Sequence, residues 1–320
     1  MTKSHLPPGG QQDPLGVPLN MLAAFLPTQD FQVRREGATL VVDHEGYTTK
    51  VTVKPPGLRP PWAPPIQSVV LVVTELPDCI AYRQLPASRA TASLLNSLAS
   101  LGSVHAAEDR LLLASRLSCT NCGFEEWMDR NTPLLAARIM DGHQSILSGF
   151  ERLMLSQPPP GGRSNWLPED LKAAEIEISH LTSCECDEQE LTASVPLDAF
   201  STGRPTEGEA CATLHMSTIQ DHVHHGPGLS VSLLMPHHIA DKSRINDLCH
   251  LLNVRELDAS YECPHFGAWM PTHRLDGVIF RTFLPNYLHS IPDIASLFAV
   301  WNLNRAVWAS EQLTREGIRL

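Results

Sequence analysis

The sequence predicts an α+β protein with two tandem domains, each an antiparallel sheet with helices packed on one face. Its 320 residues exceed the usual single domain of about 100–200 residues. Both halves show the same order of apolar patterns: a helix, a group of strands, a second helix, two more strands and a long closing helix. A stretch rich in proline and glycine, residues 157–166, separates the two halves.

The first domain is predicted to span residues 17–156. Residues 1–16 are rich in proline, glycine and glutamine, which predicts a disordered leader. The proline-dense residues 55–65 predict a rigid extended loop, or alternatively a proline-rich ligand for an aromatic groove. The predicted elements are a helix over 17–26, strands over 31–35, 38–42, 48–53 and 67–74, a helix over 88–101, strands over 103–107 and 110–117, and a closing helix over 133–155 that begins at a proline.

The second domain, residues 167–320, is predicted to repeat this order. Turn residues at 275–277 favour a hairpin between its last two strands. The predicted elements are a helix over 167–180, strands over 191–197, 211–220 and 228–235, a helix over 242–252, strands over 268–273 and 277–284, and a closing helix over 291–313.

The amino-acid composition disfavours several classes of binding partner. The net charge is −11, from 24 basic and 35 acidic residues, which disfavours binding to nucleic acid or to an anionic membrane. Residues 1–10 are polar and contain no apolar segment of the kind found in signal peptides. A chain of this length does not need disulfides to stabilise its core, so the eight cysteines are expected to be reduced thiols of a cytoplasmic protein.

The predicted order of helices and strands resembles class I type III secretion chaperones and the related bacterial YbjN-like domains. The most specific stretch is residues 275–284 (LDGVIFRTFL), which precede a closing helix with an aromatic stripe. The resemblance implies a bacterial protein without a catalytic motif or cofactor that binds another polypeptide. Class I chaperones act as dimers of one domain, so a covalent tandem would present the same two-domain surface on a single chain.

Four aromatic residues are the candidate partner-binding residues. Phe298, Trp301 and Trp308 recur at helical spacing in the closing helix, and Trp269 lies in the adjoining hairpin. Such a stripe fits a hydrophobic core, but tryptophan is also favoured at binding hot spots. Where the closing helix is exposed, these residues are expected to mediate dimerisation or binding of a client.

Histidines and cysteines support an alternative hypothesis, a zinc-dependent enzyme or sensor. The run from His222 to His225 could supply ligands, although the following Gly-Pro-Gly also fits a solvated hairpin tip. Cys119 and Cys122 have zinc-knuckle spacing, and Cys184 with Cys186 could complete a site, although incidental thiols explain the pattern equally. Neither a nucleophile elbow nor a phosphate-binding glycine loop occurs.

The sequence therefore predicts a non-catalytic protein-binding module of the chaperone or adaptor type. Its expected partner is a secreted or regulatory polypeptide captured along a sheet edge or in an apolar groove, or a second copy of the chain in a homodimer. No nucleic acid, membrane, metal or cofactor is expected in this hypothesis.

Overall fold

A computed structural model describes residues 16–57, 66–76, 87–108, 110–120, 124–197, 211–236, 239, 241–259, 261–275 and 277–318. Within these ranges the chain forms two six-stranded antiparallel sheets and six α-helices, which confirms the predicted α+β class. No helix in these ranges combines the length and the apolar character needed to cross a bilayer. Residues 1–15 of the predicted leader, the prolines at 58–65, Cys79 and Cys122 lie outside the described residues, whereas Gly16 is the first residue of a helix.

The first half builds a sheet with strand order β1-β2-β3-β4-β6-β5. Its elements are α1 (Gly16–Phe25), β1 (Gln32–Glu36), β2 (Thr39–His44), β3 (Tyr47–Lys54), β4 (Ile66–Glu75), α2 (Arg89–Asn96), β5 (Ser103–Ala107), β6 (Arg110–Thr120) and α3 (Phe124–Met154). Ser88 caps α2 by accepting a hydrogen bond from the Thr91 backbone N–H. Two predicted boundaries were wrong: α2 ends at Asn96, and α3 begins at Phe124, so that Pro133 lies inside it.

The second half repeats the arrangement, with strand order β7-β8-β9-β10-β12-β11. Its elements are α4 (Pro168–Ile178), β7 (Ser183–Cys186), β8 (Glu190–Pro196), β9 (Cys211–Ser217), β10 (Gly228–Leu234), α5 (Ile245–Asp258), β11 (Ala268–Pro271), β12 (Val278–Pro285) and α6 (Ile294–Arg315). The sequence did not predict β7, because this short edge strand lacks an apolar alternation long enough to recognise. The duplicated order of elements is therefore matched by identical sheet topology.

The repeat extends to individual hydrogen bonds. The Asn96 side chain, at the end of α2, bonds both backbone groups of Val104 in β5. Asn253 in α5 does the same to Trp269 in β11, with donor–acceptor distances of 2.9 and 2.7 Å. Both asparagines follow two leucines, and this Leu-Leu-Asn repeat is a sequence signal of the duplication. Each asparagine satisfies the open edge of a short edge strand, which would otherwise leave backbone groups unpaired.

The two halves pack through corresponding elements, as in an isologous dimer. Helix α2 contacts α5 and β11, while α5 contacts β5. The backbone of Arg116 in β6 pairs with His265 in both directions, at 2.8 and 3.3 Å. The Phe283 N–H in β12, at the corresponding position, bonds the carbonyl of Ser100. Each half therefore fills the sheet edge of the other half where the short strands β5 and β11 end.

The arrangement is asymmetric in one connection. Asn96 and Val104 are 8 positions apart, whereas Asn253 and Trp269 are 16 apart. The longer connection after α5 lies over the outer face of the first sheet, where Lys54 pairs with Asp258 at 2.8 Å. The shorter connection after α2 cannot cover the second sheet to the same extent, and this face carries the groove described below.

Arg116 fixes the longer connection to the first sheet. Its guanidinium is fully buried and donates to the carbonyls of Ala259, Tyr261 and Cys263 and to the Ser118 hydroxyl. Its cation also lies 5.1 Å from the centre of the Tyr261 ring. Burial lowers the pKa of Arg116, and the carbonyl oxygens compensate the cation in place of a directly paired carboxylate.

Residues 157–166, the predicted linker, connect α3 to α4 and contain neither helix nor strand. The segment lies against the second half: the Asn286 side chain donates to the Arg163 carbonyl and accepts from the Asn165 N–H. Trp166, placed in the linker by the sequence, is buried in the main hydrophobic core. That core contains residues of both halves, so the halves are joined by continuous apolar packing as well as by the chain.

We expect Arg116→Ala to lower the free energy of unfolding by about 2–4 kcal/mol, because buried carbonyl groups lose their donors between the two halves. Arg110→Ala is the matched control on the same strand. Arg110 forms an exposed ion pair with Glu75, so its loss should change stability by less than about 1 kcal/mol. Urea unfolding monitored by circular dichroism measures both values, and equal effects of the two substitutions would contradict the proposed role of Arg116.

Candidate binding site

A groove of about 950 Å³ lies between α2 of the first half and the outer face of the second sheet. Strand register places Leu234 opposite Ile279 and Ser232 opposite Arg281, so these four side chains share that face. We call this cavity the α2 groove. Its lining residues are Ala90, Ser93, Leu94, Ser97, Gln220, Ser232, Leu234, Met235, Asn246, Met270, Pro271, Thr272, His273, Arg274, Leu275, Gly277, Ile279 and Arg281.

The α2 groove exposes large apolar side chains. Leu94, Leu234 and Leu275 are 43%, 40% and 41% exposed, and they come from a helix, a strand and a hairpin turn. Leu275 adopts a positive φ of 56°, an uncommon conformation for a leucine, at the tip of the hairpin between β11 and β12. Exposed apolar side chains that converge on one concavity are typical of binding sites.

The polar wall of the α2 groove is organised around Arg281. Its Nη2 donates to the Oε1 atom of Gln220 at 3.2 Å, and the same oxygen accepts from the Ser230 hydroxyl at 3.2 Å. Burial lowers the pKa of Arg281, and arginine nevertheless remains cationic at neutral pH. The wall therefore presents an oriented guanidinium next to apolar side chains.

The duplicated fold creates a second, smaller groove of about 440 Å³. Asp247, His250, Leu251 and Val254 of α5 line it, and they correspond by the Leu-Leu-Asn repeat to Ala90, Ser93, Leu94 and Ser97 of α2. Arg89 and Asp247 form an ion pair of 2.6 Å there. The two helices thus offer equivalent positions to solvent with different chemistry, and only α2 offers a surface of serine, alanine and leucine.

The four aromatic candidates lie in or against the main core. Trp269, Phe298 and Trp308 are buried, and Trp301 is half-buried against the same cluster. Trp269 donates its indole N–H to Glu256, and Trp308 stacks on the Tyr261 ring. Their position gives them a packing role within the chain. Contact with a partner stays a prediction, and Trp301 has the largest exposed surface of the four.

The histidine run forms a hairpin tip, as predicted, but the tip is not a solvated turn. His222 is buried and pairs with Gly226, and its Nδ1 accepts from the His224 and His225 backbone N–H groups. Its ring packs on Phe283 with centroids 4.8 Å apart. The tip reaches the first half, where Val223 packs against the smaller core cluster. Contact between the halves therefore explains the burial.

No group of three or more His, Cys, Asp or Glu side chains in the described ranges is arranged to hold a metal ion. Cys119 is a buried free thiol whose pKa burial raises to about 12. Cys184 and Cys186 lie on β7, and burial also raises the pKa of Cys186. The raised pKa values leave the Cys119 and Cys186 thiols protonated at neutral pH, which disfavours nucleophilic chemistry. Zinc binding therefore stays a prediction, and no set of ligands for it is found among the described residues.

The fold brings together a serine, a histidine and a carboxylate that are far apart in the sequence and that no motif associates. The Ser103 Oγ lies 2.7 Å from Nε2 of His265, whose Nδ1 lies 3.2 Å from Oε2 of Glu256. Arg305, Tyr261 and Trp269 also donate to Glu256. Burial opposes the ionisation of Glu256, but Arg305 and His265 outweigh it and lower the pKa of the carboxyl.

These three residues have the order of a catalytic triad but not its accessibility. Ser103, His265 and Glu256 have no solvent-exposed surface, and Ser103 also bonds His105 at 2.6 Å. A nucleophilic serine must reach its substrate, with oxyanion donors beside it. The arrangement therefore acts as a buried polar link between the halves, since Ser103 belongs to β5 and the other two residues to the second half.

Comparisons with family models, curated proteins and solved structures gave no match to this chain. The geometry of the chain itself is therefore the basis for proposing a function.

Acidification should destabilise the protein through its buried histidines. Burial lowers the pKa of His105 and His222 to about 3 and that of His143 to about 4. The unfolded chain, with histidine pKa values near 6.5, then binds more protons, so stability present at pH 7 is lost progressively below about pH 6.5. The expected loss is up to about 1.4 kcal/mol per pH unit for each such histidine.

Urea unfolding at pH 7, 6 and 5 checks this expectation. His222→Asn should show a shallower loss, because asparagine keeps an acceptor for the turn and does not titrate. Stability that is constant or increases toward pH 5 would contradict the assigned burial of these rings.

Proposed function

We propose that this chain is a non-catalytic protein-binding module of the chaperone or adaptor type, in which the α2 groove binds a segment of a polypeptide partner. The single observation that carries the proposal is the apolar concavity formed by Leu94, Leu234 and Leu275, which no side chain of the described residues fills. Its volume of about 950 Å³ suits several side chains of a peptide.

Two features favour a polypeptide ligand. The groove wall is formed by a helix and the face of a sheet, and such surfaces commonly bind extended or helical segments through pockets for their side chains. Serines on α2 and β10 supply small polar contacts between the apolar positions. This function agrees with the resemblance of the predicted fold to secretion chaperones and YbjN-like domains. It also agrees with the cytoplasmic location that we propose for the protein.

The position of the groove at the junction of the halves means that the proposed site requires both copies of the duplicated domain. Leu94 comes from the first half and Leu234 from the second, so neither half forms the site by itself. Binding of a partner should consequently stabilise the association of the halves, because the ligand binds only the native state.

Site-specific photo-crosslinking tests the proposal. A photoreactive amino acid at Ser97, which lines the groove, should crosslink to a partner polypeptide in host extract, and mass spectrometry should identify the crosslinked peptide. The same probe at Glu151, an exposed position of α3, is the control. Crosslinks at Glu151 equal to those at Ser97, or none at Ser97, would contradict the proposed site.

We expect Leu94→Glu to weaken partner binding at least about tenfold, because it removes an apolar contact and introduces a charge into the groove. Leu153→Glu is the matched control, since Leu153 is 52% exposed on α3 and does not line the groove. Binding of the purified variants to the crosslinked peptide, measured by fluorescence anisotropy, provides the comparison. Equal affinities of the two variants would place the partner elsewhere on the surface.

A further inference from the structure

We propose that the α2 groove selects polypeptide segments in which an aspartate or glutamate accompanies apolar side chains, and that Arg281 binds this carboxylate. The inference rests on the proposed function and adds the chemistry of the partner. It follows from the charge of the groove, the hydrogen bonding of Arg281 and the spacing of side chains on the sheet.

The charge of the groove is opposite to that of the chain. The chain has 35 acidic and 24 basic residues. The described residues that line the groove nevertheless include Arg274 and Arg281, and none of them is Asp or Glu. A cationic, partly apolar concavity in an acidic protein favours an acidic segment and disfavours a basic one.

Arg281 is held in place by a neutral group. The Gln220 side chain accepts a hydrogen bond from the Arg281 guanidinium. No carboxylate of the described residues lies within ion-pair distance of Arg281. Other arginines of the chain have such partners: Arg305 pairs with Glu256, and Arg255 pairs with Glu316. The remaining donors of the Arg281 guanidinium can therefore form a two-point contact with a ligand carboxylate.

The second groove provides a comparison within the same molecule. Its lining includes Arg89 and Arg244 together with the carboxylates of Asp247 and Glu316, and Arg89 is paired with Asp247 at 2.6 Å. An incoming carboxylate would have to compete with that aspartate. The described lining of the α2 groove contains no such carboxylate, so its cations favour an acidic ligand more than those of the second groove do.

The strand geometry also sets the spacing of the ligand. Ile279 and Arg281 are two residues apart on β12 and point to the same face, with Leu234 opposite Ile279. Side chains two residues apart on a strand are separated by about 6.5–7 Å. An extended ligand that follows β12 would match this spacing with an acidic residue two positions from an apolar residue.

Selection from a random twelve-residue peptide display library tests the inference with the full chain. The wild type should enrich peptides that have Asp or Glu two positions from an apolar residue. Arg281→Gln should lose the acidic preference but still select apolar peptides. Arg110→Gln, which alters an exposed arginine away from the groove, should behave like the wild type.

Affinity measurements with one selected peptide complete the test. Arg281→Gln should weaken its binding about tenfold and reduce its salt dependence. Replacing the acidic residue of the peptide by glutamine should have the same effect on the wild type, which keeps the test decisive even where the protein variant folds poorly. In the double change, the two effects should not add.

The outcomes separate the two proposals. Selected peptides that compete with one another, crosslink at Ser97 and show no acidic enrichment would overturn the inference while the proposed function stands. The same conclusion follows if Arg281→Gln retains the acidic preference. Failure to select any peptide that crosslinks at Ser97 would overturn both proposals.

Discussion

The open edges of β5 and β11 impose the constraint on which the rest of the structure depends. Both strands are short and lie at the junction of the halves, where unpaired backbone groups would be buried without water. Asn96 and Asn253 satisfy these edges from the neighbouring helices. Beyond the ends of the two strands, backbone from the opposite half pairs with β6 and β12. The two halves cannot separate without breaking these hydrogen bonds, so the duplicated chain folds as an internal dimer.

The duplication is unequal on the outer faces of the two sheets, and the binding site that we propose lies on one of them. The longer connection after α5 wraps over the first sheet and holds Arg116 through backbone carbonyls. The shorter connection after α2 leaves the second sheet accessible, and Arg281 faces the resulting groove. One face thus holds the two halves together, and the other carries the groove in which we propose that a ligand binds, although both faces derive from the same topology. A symmetric pair of domains would not explain this difference.

Polar groups buried at the junction make the association of the halves specific. Glu256 receives donors from Arg305, Tyr261 and Trp269, and His265 continues the network to Ser103 in the other half. Satisfied networks of this kind favour one arrangement over other apolar packings, because any slippage leaves buried charges unpaired. Burial also explains why a serine, a histidine and a glutamate in triad order perform no hydrolysis in our proposal: the serine cannot contact a substrate.

The sequence by itself determined the α+β class, the duplication and the order of the helices and of all strands except β7, because apolar periodicity and the glycine and proline residues between elements are local signals. It missed β7 and the start of α3 at Phe124, where these signals are weak. Tertiary structure alone decided which apolar residues are core and which form a site. Trp269 and Leu94 are equally apolar in sequence, but only packing buries the first and exposes the second. Leu94 and Arg281 line the same groove because the halves associate. Apolar periodicity predicts which face of an element is buried but not which element packs next to it, so it could not predict this arrangement.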